Sequence, residues 1–494
     1  MKSKTQVSLA PKANSCTAAK VGLYRNGSGY RRKYGMHLFQ DKKLHGDCER
    51  DKEGELMTEA LGHQAISKVS RRLLPFIALL YFVNYVDRIN LGFAALTMNK
   101  DLGLSAYVYG LGAGIFFFGY FIFEVPSNLI LERVGARLWI ARIMLTWGLI
   151  SAGMAFVTGE TSFIVMRFLL GLAEAGFFPG MILYLTYWYP APYRARVIAG
   201  FMVAIPVSIV IGAPLSTTIL GLDGLLGLKG WQWLFIIEGV PAVILSATVL
   251  FFMTDRPAHA EWLTVAERDW LKGTLQEERK AVHAAHGPFN LFRAFTDARV
   301  LALSFIYLCL AAAGYGTIYF LPQIIKGLGF SNFQTGFVTS VPYIAGAVGM
   351  VAWGWYSDRI HERRWNLAVA SVCGAIGLAC AGLFNASYWG LLGMCVAAVG
   401  LNSTKPCFWP LPSTLMTGTA AAASIAAINS IGNLGGFVGP YIVGWIKDTT
   451  QSFEAGLYFL SACAVLAAIV TMLALRSSSP SVAVQSVHHP ASTG

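Results

Sequence analysis

NLILERVGAR at residues 128–137 and GWYSDRIHERR at residues 354–364 decide how this chain is built, because each sets an acid directly before an Arg and adds further Arg a few residues on. Glu132-Arg133 with Arg137 in the first, and Asp358-Arg359 with Arg363 and Arg364 in the second, stand at equivalent places, each between two long apolar runs. A loop that recurs in register points to a chain made of two similar halves. An acid and an Arg at a helix end form ion pairs and helix-dipole contacts that hold one conformation and release in another, so Glu132, Arg133, Asp358 and Arg359 read as a conformational gate.

Outward from these loops, twelve apolar runs recur between 73–97 and 456–475, six on each side of one long polar connector. Each is long enough to cross a hydrocarbon core about 30 Å thick as a helix. Lipid-exposed strands are excluded, since an open sheet edge in hydrocarbon leaves backbone groups unpaired. The composition agrees: with 55% hydrophobic and 13% charged residues over 494 positions, the chain cannot cover a water-soluble surface. The expected fold is all-α and polytopic, with twelve transmembrane helices in two six-helix bundles. The expected division is a disordered N-terminal extension at 1–60, a first bundle at 61–253, a central loop at 254–298, a second bundle at 299–476 and a disordered tail at 477–494. Met57 opens a short basic lead into the first run, so both an over-extended gene start and a genuine tail fit the residues before it. In the central loop Thr264 and Glu267 have the spacing of a capping box ahead of a charged stretch, which reads as an amphipathic helix on the membrane surface or as a solvated spacer.

The net charge of +12 sits in short connectors and tails rather than in a stripe with interleaved aromatics, which speaks against nucleic acid as a partner. Loops with Arg133 and Arg137, with Arg194 and Arg196, and with Arg359, Arg363 and Arg364 alternate with loops that hold only Lys100, Lys229, Lys326 or Lys447. By the positive-inside rule the Arg loops and both termini face the cytoplasm, and the chain belongs in a cell inner membrane. The eight cysteines form no CxxC pair, and no metal or redox role follows. No phosphate-binding G-x-x-x-x-G-K-[ST] occurs and no nucleophile-base set is visible, so no cofactor, catalytic residue or enzyme activity is expected. Energy for any transport must come from an ion gradient or from the solute itself.

Four charges stand where charges are costly. Asp87 and Arg88 lie in YFVNYVDRINLGFAAL at 81–96, and Arg167 and Glu174 in VMRFLLGLAEAGFFPG at 165–180. Each costs roughly 2.5–3.5 kcal/mol at mid-bilayer, so together they must face a wet cavity and partner one another. Arg167 and Glu174, two turns apart, share a helical face. Asn84 and Tyr85 precede Arg88 by one turn, Tyr120 adds a hydroxyl in the second run, and Asn429 and Asn433 share a face in the eleventh. Lys405, late in the tenth, reads either as a snorkelling side chain or as an anchor for a carboxylate. Trp409, Tyr343 and Tyr319 read as packing or as cavity walls.

The paired loops resemble the G-x-x-x-D-R-x-x-x-R signature of the major facilitator superfamily, with Asn128 and Glu132 departing from it in the first copy. Asn84-Tyr85-Val-Asp87-Arg88, the run from Arg167 to Pro179, GWQWLFIIEGVPA at 230–242 and DRPAHAEWL at 255–263 resemble the anion:cation symporter family within it, over roughly 60–476. The resemblance lies nearest to its tartrate-transporting branch. It implies proton-coupled uptake of a small organic anion, a hydroxy-dicarboxylate or sugar acid, with import of an aromatic acid or export by the same fold as alternatives. It also implies that Arg88 grips a carboxylate, that Asp87 and Glu174 carry protons balanced by Arg167, and that Tyr85, Tyr120, Asn429 and Asn433 line the site. The partners so implied are the substrate, protons and lipid, with the chain acting as a monomer.

Overall fold

The computed structural model describes residues 41–285, 296–360, 362–385, 387–412 and 419–475. The first half runs through α1 (Asp41–Leu102), α2 (Ala106–Val134), α3 (Ala136–Gly153), α4 (Glu160–Glu174), α5 (Phe177–Trp188), α6 (Ala191–Met202), α7 (Ala204–Ile219) and α8 (Gly230–Phe252). The connector holds α9 (Val265–Ala285). The second half runs through α10 (Ala298–Lys326), α11 (Asn332–Ile360), α12 (Arg363–Leu383), α13 (Tyr388–Phe408), α14 (Thr419–Asn433), α15 (Gly435–Thr450) and α16 (Glu454–Ala474). Three pairs, α4–α5, α6–α7 and α14–α15, are each one crossing interrupted by a residue or two, so among the described residues the fifteen helices other than α9 make twelve crossings in two bundles of six. Ten qualify on length and hydropathy alone. The other two are α1, whose apolar stretch carries Asp87 and Arg88, and α14–α15, which breaks at Leu434.

The break between α4 and α5 falls directly after Glu174, where Ala175 leaves helical geometry and Gly176 takes φ 87°, a left-handed conformation that suits glycine. Glu174 is thereby the last residue of α4. Its carboxylate stands at the negative end of a helix dipole, a place that favours a cation beside it.

The halves pack at the ends of their helices away from the Arg-rich loops. There Asp448 accepts hydrogen bonds from the Ala106 and Tyr107 N–H groups at 3.0 and 2.8 Å, an anion at the N-terminus of α2. Tyr109 donates to the Tyr319 carbonyl at 2.8 Å, and Ser340 to the Val210 carbonyl at 3.1 Å. Lipid tails are as apolar as any side chain, so close approach of backbones replaces the hydrophobic drive. A side chain at Gly110 would strike the Pro440 carbonyl, and one at Gly336 the Ala213 carbonyl and Thr217. Nearer the loop face a polar link between the halves is Glu124, which accepts from Asn429 and Ser430.

Rather than floating free, α9 docks on the loop face of the first half. Thr264 and Glu267 exchange N–H bonds at 2.8 and 3.3 Å, closing the box that their spacing promised. Glu267 also pairs with Lys68 at 3.0 Å, and Glu278 with Arg194 at 3.0 Å. Trp262 stacks on Trp188 at 5.5 Å under the Arg72 guanidinium, and Trp270 fills the notch at Gly62. Trp270 on the helix and Trp262 just before it thus pack against protein. Burial pushes the Glu267 carboxyl up, but the Thr264 N–H and Lys68 ammonium outweigh it and hold the group below the usual carboxylate range.

Gly110→Val should prevent the packing of α2 on α15, since overpacking there costs about 1–3 kcal/mol. In a protein carrying Tyr441→Cys, labelling by an impermeant maleimide added on the side opposite the Arg loops should rise several-fold when Gly110→Val is added. Unchanged labelling would show that this face is not the seal.

Candidate functional site

Asp87 and Arg88 are neighbours on α1, and successive residues on a helix point about 100° apart, so the two side chains must part company. Asp87 turns into the first bundle and is 2% exposed. Its carboxylate accepts from Trp147 Nε1 at 2.6 Å, from Asn90 Nδ2 at 3.0 Å and from the Ser151 hydroxyl. Three donors around one buried carboxylate supply what water no longer can.

Arg88 turns the other way, into a cavity between the halves. Its guanidinium forms an ion pair with Glu174, which is 1% exposed, while its own side chain is 12% exposed. It donates to the Tyr315 hydroxyl at 3.4 Å. The rings of Tyr85, Phe116 and Tyr120 surround it at 5.4 to 5.8 Å, a cation–π collar that holds the fork in place. Arg167, two turns before Glu174 on α4, donates from Nε to the Gly112 carbonyl at 3.1 Å and lies over the Phe116 ring at 4.9 Å. It ties α4 to α2, and Glu174 takes Arg88 as its partner.

The cavity, open to solvent, encloses about 660 Å³ of empty space between the halves. Tyr85, Arg88 and Tyr120 line it from the first half, and Tyr307, Tyr315, Lys405, Asn429 and Asn433 from the second. Asn429 donates to Glu124 at 2.7 Å, and Asn433 accepts from the Tyr307 hydroxyl at 3.5 Å. Trp409 lines the same space, Tyr343 lines an adjoining apolar lobe, and the Tyr319 side chain is fully buried in the seam.

At the loops, Asp358 pairs with Arg363 at 2.8 Å, five residues on, and Arg359 lies over the Trp355 ring at 5.3 Å. Glu132 and Arg133 are exposed. In the first copy the helix end is met by Asp255, which follows α8 and accepts from the Arg137 N–H at 2.8 Å. The sequence reading passed over Glu124 and Glu238, both buried; Glu238 accepts from the Ser216 hydroxyl at 2.7 Å. The cost of a charge in an apolar run, which singled out Asp87 and Glu174, marks these two as well.

Comparison with known proteins gives the chain a context. The family described as Major Facilitator Superfamily matches residues 77–440. A protein named "Putative tartrate transporter" from Agrobacterium vitis is 51% identical over 427 residues, 86% of this chain and 95% of that one. One named "Quinolone resistance transporter" from Acinetobacter baumannii is 43% identical over 410 residues, 83% and 94% of the two chains. Among solved structures, a bacterial homologue of the human lysosomal transporter Spinster, in an inward-facing and occupied conformation, matches with a TM-score of 0.66 at 16% identity, covering 81% of this chain and 96% of that one. Likeness at that identity concerns the fold alone.

Trp147→Phe keeps an aromatic ring but removes a donor from Asp87 as well as part of the packed volume, and an unsatisfied buried acceptor costs about 1–3 kcal/mol. The thermal unfolding midpoint in detergent should fall, and adding Asp87→Asn should recover part of the loss. Strict additivity of the two changes would show that the indole does not support the carboxylate.

Proposed function

The chain belongs to the Major Facilitator Superfamily and is a multi-pass membrane transporter, and on that footing we propose that it takes up a small organic anion, a hydroxy-dicarboxylate such as tartrate, together with protons. The observation that carries this reading is the ion pair between Arg88, which lines the cavity, and the buried Glu174. A guanidinium presents a fork matched to a carboxylate, and here an internal carboxylate occupies it. A substrate carboxylate takes the fork only if Glu174 leaves it. Leaving as an anion would strand a buried charge at a cost of about 3–5 kcal/mol, whereas leaving as the neutral acid avoids that cost. Substrate binding and protonation of Glu174 are thus two sides of one exchange.

Asp87, held by Trp147, Ser151 and Asn90, serves as the second titratable group, within the first bundle rather than in the cavity. Arg167 balances the pair electrostatically and fixes α4 against α2. Tyr85 and Tyr120 shape the anion pocket, and Asn429 and Asn433 face the substrate hydroxyls. The identity to a relative named for tartrate transport supports the substrate class. By the charge of the loops the Arg-rich face is cytoplasmic, with both termini on that side of a bacterial inner membrane and the cavity open inward. Asp358 with Arg363, and Asp255 at the N-terminus of α3, are the loop contacts that rearrange as the halves rock, with the chain working as a monomer. The relative named for quinolone resistance supports export as the second reading.

Glu174→Gln should preserve exchange of internal for external tartrate in proteoliposomes, which moves no net proton, and abolish accumulation driven by an inward pH gradient. Arg88→Lys, offering a point charge in place of a fork, should weaken uptake affinity roughly 10- to 100-fold. Gradient-driven accumulation unchanged in Glu174→Gln would make that residue structural. Accumulation only under the opposite gradient would favour export.

A further inference from the structure

Lys405 is a cation in the cavity wall with no acid beside it. Its ammonium donates to the Asn402 side chain at 2.9 Å, and among the described residues it makes no ion pair. A snorkelling lysine would reach from the end of α13 toward the loop face. This one bends back by a turn toward Asn402, deeper into the bundle, and remains half-buried. The wall around it is aromatic, with Tyr307 packed against Trp409 at 5.1 Å, so little competes with the charge for a ligand. Glu124, the carboxylate that bridges the halves near this cavity, is taken by Asn429 and Ser430. Arg88 lines the same cavity from the first half.

We infer that Lys405 takes the second carboxylate of a dianionic substrate whose first carboxylate sits at Arg88. This rests on the anion-binding role proposed for Arg88, and it narrows the substrate to dicarboxylates. The two anchors lie on different halves, so the charges of a dianion tie one bundle to the other, whereas the single charge of a monoanion engages the first half alone. Discrimination between the two then follows from charge placement rather than from the shape of the pocket.

The test measures binding of malate, L-tartrate and glucarate, each against its monomethyl ester, to the purified full-length protein by quenching of tryptophan fluorescence. The wild type should bind at least one diacid roughly 30-fold more tightly than its half-ester, the loss expected when one partner of a desolvated charge pair is removed. Lys405→Gln should bring that ratio close to one with the half-ester affinity unchanged, and Lys405→Arg should restore most of it. Retention of half-ester binding shows that the variant is folded. Three results overturn the inference: no diacid preferred by the wild type, an unchanged ratio in Lys405→Gln, or equal loss of diacid and half-ester in that variant. Arg88→Ala separates the premise, since normal diacid binding there defeats the anion-site reading whatever Lys405 does, and lost binding there with an unchanged Lys405→Gln defeats only the second anchor.

Discussion

The ion pair between Arg88 and Glu174 is the constraint on which the rest of the site depends. Arg88 lines a cavity inside a bilayer and Glu174 is buried against it, and each is the other's ion-pair partner among the described residues. In such a place the pair is held by the cost of separating it as much as by its own attraction. A cation there can exchange its partner only for another anion, and a carboxylate can leave only by taking a proton. The surroundings enforce this economy. The guanidiniums of Arg88 and Arg167 both lie against the Phe116 ring, and the break after Glu174 puts that carboxylate at a helix end. Asp87, which might compete for Arg88 as its neighbour in sequence, is turned away and held by three donors of its own.

The seam between the halves gives the pair its access. Glycines at 110, 114, 336 and 444 bring backbones into contact on one side of the cavity, and Asp448 closes the N-terminus of α2 there. On the loop side Glu124 with Asn429 and Ser430 spans the gap. A seam of this kind, small residues at one end and a few polar links at the other, separates without unfolding either bundle. Docking α9 on α1 and α6 keeps the connector with the first half, so the two bundles shift as units.

Much of this was legible in the sequence, because the bilayer makes both length and charge informative. Span lengths follow from hydrocarbon thickness, the two halves from the repeated loop, and the candidate charges from the cost of placing them in apolar runs. Partners were not legible. Which Arg meets Glu174 depends on how α4 is rotated against α1, and the seven-residue spacing to Arg167 carries no information on that. Asn429 meets Glu124 and Ala106 meets Asp448 across more than 300 residues of chain, contacts set by how the halves dock. The direction of Lys405 is settled by Asn402 one turn earlier, a local bond that competes with the pull of the interface. Glu124 and Glu238 fall under the same cost argument, since both are acids within apolar runs.

The claim at the centre of this account is that a substrate carboxylate and Glu174 exchange places on Arg88, with Glu174 leaving as the acid. Proton uptake by the purified protein on mixing with tartrate, followed with a pH indicator in weakly buffered solution, measures that exchange at binding, before any transport. About one proton taken up for each tartrate bound is the expected result, with none in Glu174→Gln. Saturable tartrate binding by the wild type with no proton taken up, at a pH where Glu174 is ionised in the free protein, would contradict it.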